Sequence, residues 1–314
     1  MSVLAAATAN DPRSLAQRLG RELAEEVHDP GHLAERLALA LGQLADPRYL
    51  AGLRLVAPGI GPTHGVRTPL QTALRRGFDR ATRDTSPAEL VLVADRLLRA
   101  PEREARWFAI HLLERTVVSE PERTWQLLRR AAADADDWIT VDTLAHPYGR
   151  GILREPYRWA ELEQLTIAPS RWERRLVGST IATIPFVDRR AGRTAEVAGR
   201  GLALLGMLIG DREPDVQKAL AWAYRSMALV ERHATSAALE AQAEIAARTE
   251  DGHRAWVVRD ALGKLEPDVA DRLRDRVAGI RRRPGAASTS EASGLAGRFA
   301  GLGLGRPMPE PPLT

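Results

Sequence analysis

Cysteine is absent from the chain, which removes disulfides, thiolate nucleophiles and Cys-ligated zinc or iron–sulfur centres together and predicts a cytoplasmic address, nucleoid-associated when the chain is on DNA. Lysine is almost missing as well: apart from Lys218 and Lys264, every basic side chain is Arg. No uncharged apolar run approaches the ~18 residues of a membrane-spanning helix, and the opening MSVLAAATANDPRS has no basic region ahead of an apolar core, so neither membrane insertion nor export by a standard signal is predicted. The phosphate-binding, zinc-protease, serine-elbow and dinucleotide motifs are missing. The seven histidines (28, 32, 64, 111, 146, 233, 253) lack ligand spacing, so neither metal nor cofactor is called for. The alternating apolar pattern of β-strands is missing too.

What is there is helical. Leu15, Leu19, Leu23 and Val27 step by four before His28-Asp29-Pro30-Gly31 ends the run, the spacing of one apolar helix face. A second helix is predicted over 32–44, and the Gly/Pro-rich stretch 56–69 is a loop. Similar periodicity recurs near 69–82, 86–99, 103–118, 121–133, 136–146, 156–166, 170–184, 192–209, 214–231, 235–248, 252–264 and 266–281. Paired helices at a spacing near 35 to 45 residues predict an all-α stack of HEAT-like repeats, a curved solenoid with an extended concave face. A chain of 314 residues, 44% hydrophobic and 27% charged, has enough apolar content for such a core. The organisation read from the sequence is a helical extension over 1–44, a repeat domain over 45–281 and a disordered Gly/Pro/Ser-rich tail over 282–314.

The net charge is +4 and the pI about 9.9, carried by Arg. Planar guanidinium forks suit phosphate, so nucleic acid is a candidate partner; Arg-biased composition is the plainer explanation. Seven Trp stand against four Phe. Trp138 and Asp142 lie four apart and share a helix face, and Trp222 and Arg225 share another. By residue type alone Trp138 reads as a core aromatic, Asp142 as a cap or ion-pair partner, Trp222 as a stacking anchor and Arg175 as half of a surface ion pair. Trp107, Trp125, Trp159, Trp172 and Trp256 are assigned to packing, and Arg281-Arg282-Arg283 to a solvated helix end, with a phosphate contact as the alternative.

The order of these segments carries more than any one of them. Trp138-Ile139-Thr140-Val141-Asp142 with a His-Pro-Tyr-Gly turn, Arg171-Trp172-Glu173-Arg174-Arg175 opening the next pair, and Gln217-Lys218-Ala219-Leu220-Ala221-Trp222-Ala223-Tyr224-Arg225 resemble the AlkD-like DNA alkylation-repair glycosylases. Ala45-Asp46-Pro47, Gly65 to Pro69 and Pro101 to Glu104 agree upstream, so the resemblance spans about 45–260. It implies a HEAT-like fold gripping duplex DNA as a monomer. It matches Trp138, Asp142 and Trp222 to the lesion-facing catalytic residues and Arg175 to a backbone contact, with Arg174, Arg225 and Lys218 beside them as DNA-binding residues. Two positions depart: Tyr49 is offset from the family's early-helix aromatic, where Ala51 falls, and Ser226 stands where Glu often follows the Arg.

Hydrolysis of an N-glycosidic bond passes through an oxocarbenium-like sugar, which a nearby carboxylate stabilises and electron-rich indole faces flank. N3- and N7-alkylated purines are already cationic and leave without a general acid. The resemblance further implies that the base stays in the duplex instead of being flipped into a pocket. Two other readings use the same repeats: a protein that binds duplex or branched DNA without cutting, which has no need of an inward carboxylate, and a protein-interaction scaffold, which calls for apolar patches.

Overall fold

The computed structural model describes residues 11–301. Among them are sixteen α-helices and no strand, only an isolated antiparallel bridge between Ala45 and Val66. The chain divides into two compact units between Arg154 and Glu155.

At least six helices start on the same two-residue signal. Asp11-Pro12, Asp29-Pro30, Asp46-Pro47, Ser86-Pro87, Glu213-Pro214 and Glu266-Pro267 each place a cap residue before a proline at the first helical position. Proline's missing N–H lies where the helix has no acceptor for it, and its fixed φ suits the first turn. Where the cap is Asp, its carboxylate accepts first-turn amides: Asp46 takes those of Arg48 and Tyr49 at 2.9 and 3.1 Å.

The first unit holds α1 (Pro12–Ala24), α2 (Pro30–Gln43), α3 (Pro47–Val56), α4 (Thr68–Ala81), α5 (Pro87–Leu98), α6 (Arg103–Thr116), α7 (Pro121–Ala133) and α8 (Trp138–Arg154). α1 packs along α4, α2 and α6 pack on α5, and α8 packs on both α6 and α7. Gly20 and Gly77 make the first of these contacts possible. A Cβ on Gly20 would sit 2.0 Å from the Leu74 carbonyl oxygen, and one on Gly77 2.1 Å from that of Gln17. The N-terminal helices are thus part of the first unit's core, with Leu19, Leu23, Leu33 and Leu37 buried.

The second unit contains a short α9 (Trp159–Gln164) between 3-10 turns, then α10 (Arg171–Val187), α11 (Ala195–Leu208), α12 (Pro214–Met227), α13 (Arg232–Thr249), α14 (Gly252–Ala261), α15 (Pro267–Arg276) and α16 (Glu291–Gly301). One layer runs α10, α12, α14 and the other α11, α13, α15. Polar links between successive repeats fix the period. Trp107 meets Thr140 across 33 positions, Arg130 meets Asp95 across 35, Arg174 meets Asp211 across 37 and Gln217 meets His253 across 36. The fold is the all-α, HEAT-like repeat that the paired helices predict.

Two local expectations are overturned. The His146-Pro147-Tyr148-Gly149 turn is continuous helix, because α8 runs on through Pro147 to Arg154. The helix forgoes the amide donor that Pro147 lacks. The buried Tyr148 ring lies 4.7 Å from that of Trp125 in compensation, and Gly151 gives Trp125 room. The tail predicted disordered is ordered as far as 301. Thr289 N donates to the Gly210 carbonyl at 2.9 Å, Ser290 and Ala292 are buried, and α16 follows. The small residues that read as disorder are what allow this close approach: a Cβ on Gly210 would meet Thr289 Oγ1 at 2.5 Å. Residues 302–314, the rest of that tail, lie outside the described residues.

Candidate nucleic-acid interface

The first unit presents the start of α8. Asp137, buried, accepts the Thr140 amide at 2.8 Å on one oxygen and the Thr140 hydroxyl at 2.7 Å on the other. Thr140 Oγ1 in turn receives the indole N–H of buried Trp107 at 2.9 Å. Arg103, 4% exposed, grips Asp136 with Nη2 at 2.6 Å and lies 3.6 Å from Asp137. The first turn of α8 is therefore held by a buried polar chain running from α6.

On that turn Trp138 and Asp142 stand one helical step apart, both half-buried. Trp138 Nε1 points at the Val56 carbonyl at the end of α3, 3.3 Å away. Leu55 and Val56, 83% and 63% exposed, form an apolar rim beside it. The loop after α3 is anchored from α6: buried Glu104 accepts the amides of His64, Gly65 and Val66 at 3.2, 2.8 and 3.2 Å. Tyr49 is half-buried with the Arg67 guanidinium 6.0 Å from its ring, and Ala51 is exposed on α3.

In the second unit α12 carries exposed Lys218 with half-buried Trp222 and Arg225 at helical spacing on one face. Arg225 is tied to Asp260, its Nη1 2.8 Å from Oδ2. Ser226 is buried behind this face. Arg175 is buried on α10 and donates Nη1 to the Asp215 carbonyl at 2.7 Å. Half-buried Glu173 has its carboxyl pushed above the ordinary range by burial, against the opposing pull of Arg174.

Arg174 is committed inside the fold. Its Nε meets Asp211 at 2.7 Å and its Nη1 donates to the carbonyls of Ala168 and Pro169, both at 2.9 Å. Asp211 is 2% exposed, so the pair clamps two repeats as Arg103 and Asp137 do in the first unit. That is a structural station, not the phosphate contact expected of it. The sequence reading missed the Asp137–Thr140–Trp107 chain, although Asp-x-x-Thr at the start of a helix is a cap signal. It also assigned Trp172 to packing. The structure stacks Arg171 on that ring at 4.7 Å, at the edge of an open groove of about 1060 Å³ shared with residues 287–297.

No His, Asp or Glu cluster of metal-ligand type occurs among the described residues, and no described helix is long and apolar enough to cross a membrane.

These paired helices define an all-α, HEAT-like class of repeat protein. Residues 37–265 match the family model described as DNA alkylation repair enzyme, and the chain belongs to that family. No curated protein matches the chain at a significant level.

Proposed function

We propose that this DNA alkylation repair enzyme is a glycosylase that hydrolyses the N-glycosidic bond of cationic N3- and N7-alkylpurines in duplex DNA, acting as a monomer without flipping the base. The observation that carries this reading is the placement of Trp138 and Asp142. They lie one turn apart on a solvent-reaching helix face whose first turn is locked by Asp137, Thr140 and Trp107.

A carboxylate facing a polyanion is unfavourable unless positive charge forms there. As the glycosidic bond breaks, charge grows on the deoxyribose, and Asp142 stabilises it and orients water. The indole of Trp138, one turn from Asp142, supplies an electron-rich face to the cation; Trp222 is a separate lesion-facing candidate on the second unit. Lys218 contacts backbone phosphate, with Arg225 at the edge of the same α12 face; Arg175, matched by the resemblance to a backbone contact, is instead buried and bonded to the Asp215 carbonyl. Arg174 takes no part, since its guanidinium serves Asp211 and two carbonyls. Because the leaving base is already cationic, selection follows bond lability and charge more than the shape of the base. The test is release of free base, read by mass, from duplexes containing 7-methylguanine or 3-methyladenine. Binding without release would leave a DNA-binding repeat protein and refute the glycosylase reading.

A further inference from the structure

The second unit closes with a strap, residues 277–290, that returns from α15 across α14 to α12. At Gly252 the strap backbone passes so close that a Cβ there would lie 2.2 Å from the Arg281 carbonyl oxygen. Arg259 of α14 donates Nη1 to the strap carbonyls of Val277 and Ile280 at 2.9 and 3.0 Å. Arg282 lies over the Trp256 ring, 5.1 Å from its centroid, and donates to Gln217 Oε1 at 2.9 Å.

Gln217 is wholly buried on α12, and its amide nitrogen is already engaged by the Asp211 carbonyl at 2.6 Å and by His253 at 3.2 Å. The amide orientation is thereby fixed with its oxygen toward Arg282. Arg281, beside it, is exposed and has no hydrogen-bond or ion-pair partner among the described residues. Burial and the neighbouring charges of Arg281 and Arg282 lower the pKa of Arg259.

Three guanidiniums are thus gathered on the strap and α14, one of them preset by a buried amide and a stacked indole, with Glu250 and Asp251 lining the pocket of Arg281 and Glu213 that of Arg282. Carbonyls and a ring face align guanidiniums but do not neutralise them. Like charges held together cost stability unless an anion sits between them. A partner with regularly repeated charge fits best, and duplex DNA carries one negative charge per ~1.7 Å of axis.

We propose that Arg259, Arg281 and Arg282, gathered where the C-terminal strap crosses α14 beside Trp256, form a contact for the DNA phosphate backbone. Arg281 and Arg282 lie beyond the residues matched by the family model, so this contact belongs to the chain's own C-terminal segment. It rests on the reading that the protein works on duplex DNA, and does not depend on whether a glycosidic bond is cut.

The test is a salt series of fluorescence-anisotropy titrations with an undamaged duplex, comparing the full chain with Arg281→Gln/Arg282→Gln. Each lost phosphate contact reduces the slope of log K against log salt by about 0.9. The double variant is expected to lose close to two units of slope and about 10-fold in affinity at near-physiological salt, equally on alkylated duplex. Arg281→Gln alone removes no hydrogen bond, so it keeps the fold and isolates the charge, with about one unit of slope lost. An unchanged slope in both variants overturns the strap contact while leaving the glycosylase reading intact. Duplex binding with the expected slopes but no base release refutes the glycosylase reading and leaves the strap contact standing. Binding to anionic lipid vesicles but not to duplex overturns the contact as proposed.

Discussion

Trp107 donates its indole N–H to the hydroxyl of Thr140 at 2.9 Å, tying the middle of α6 to the first turn of α8. Both residues are buried, and Thr140 passes the bond on to Asp137. The helix turn that carries Trp138 and Asp142 is therefore placed from within the core. Thr140→Val keeps the volume but leaves a buried indole N–H and a carboxylate oxygen short of a partner, which costs about 1–3 kcal/mol each. The expected result is a thermal midpoint lowered by several degrees. Excision should fall more than duplex binding, because the loss disturbs where Asp142 sits and not the phosphate contacts. Equal stability and equal excision in the Val variant would remove the positioning role.

The two indoles are expected to act through their faces. Desolvated cation–π contacts run from about 0.5 to 2 kcal/mol, so Trp138→Leu and Trp222→Leu should each slow single-turnover excision by roughly 2- to 30-fold. Phe at either position should recover part of the rate, since it keeps a ring. Leu and Phe variants that perform alike would show that packing, not the π face, is what these residues supply.

Arg174 and Lys218 should behave oppositely. Arg174→Ala strands Asp211, 2% exposed, as an uncompensated buried charge, and breaking such a pair costs on the order of 3–5 kcal/mol. Urea denaturation is expected to show that loss directly. Lys218→Gln should leave stability within about 0.5 kcal/mol and instead reduce the salt slope of DNA binding by about one unit, alike on damaged and undamaged duplex. If Arg174→Ala proved stable and bound DNA weakly, the clamp would have to be reassigned as a phosphate contact.

Acid sensitivity has a named source in the first unit. Asp79 meets His111 at 2.9 Å and Arg115 at 2.8 Å. Burial, the largest single influence, pushes its carboxyl up, but His111 and Arg115 together outweigh burial and hold it below the ordinary value. A carboxyl whose folded pKa lies below its unfolded one contributes stability that is complete above the unfolded pKa, about 4, and is lost as pH falls toward the folded value. Asp79→Asn should therefore be less stable than the parent at pH 6 to 7, with the difference shrinking as pH drops below about 4. A gap that stays constant or widens toward acid would contradict this ion-pair origin.

The helix starts at Ser86-Pro87 and Glu213-Pro214 were legible in the sequence because a cap residue before Pro is a local signal that needs no tertiary partner, whereas Asp29-Pro30 was read only as the end of the preceding run. The Trp138/Asp142 face was legible for a similar reason, since helical spacing alone puts them one turn apart. Pro147 was misread because the cost of a proline inside a helix is offset by Tyr148 and Trp125, and Trp125 lies more than twenty positions away in the chain. The segment 282–301 was misread because small residues signify disorder only where nothing waits to receive them, and here Gly210 and Asp251 do. Arg174 looked like a phosphate contact because an Arg-rich helix start does not reveal a carboxylate 37 residues on.

The most direct measurement is single-turnover release of free base from duplexes carrying 7-methylguanine, a bulkier N7-alkylguanine, hypoxanthine or uracil, corrected for spontaneous depurination and run with the parent and Asp142→Asn. The parent is expected to release both cationic purines regardless of alkyl size and little of the neutral bases. Asp142→Asn, still folded and still binding, should lose about 10²-fold or more, the order seen when one preorganised electrostatic group is removed. Release of uracil or hypoxanthine as fast as 7-methylguanine, or full activity in the folded Asp142→Asn protein, would contradict catalysis by stabilisation of a sugar cation at Asp142.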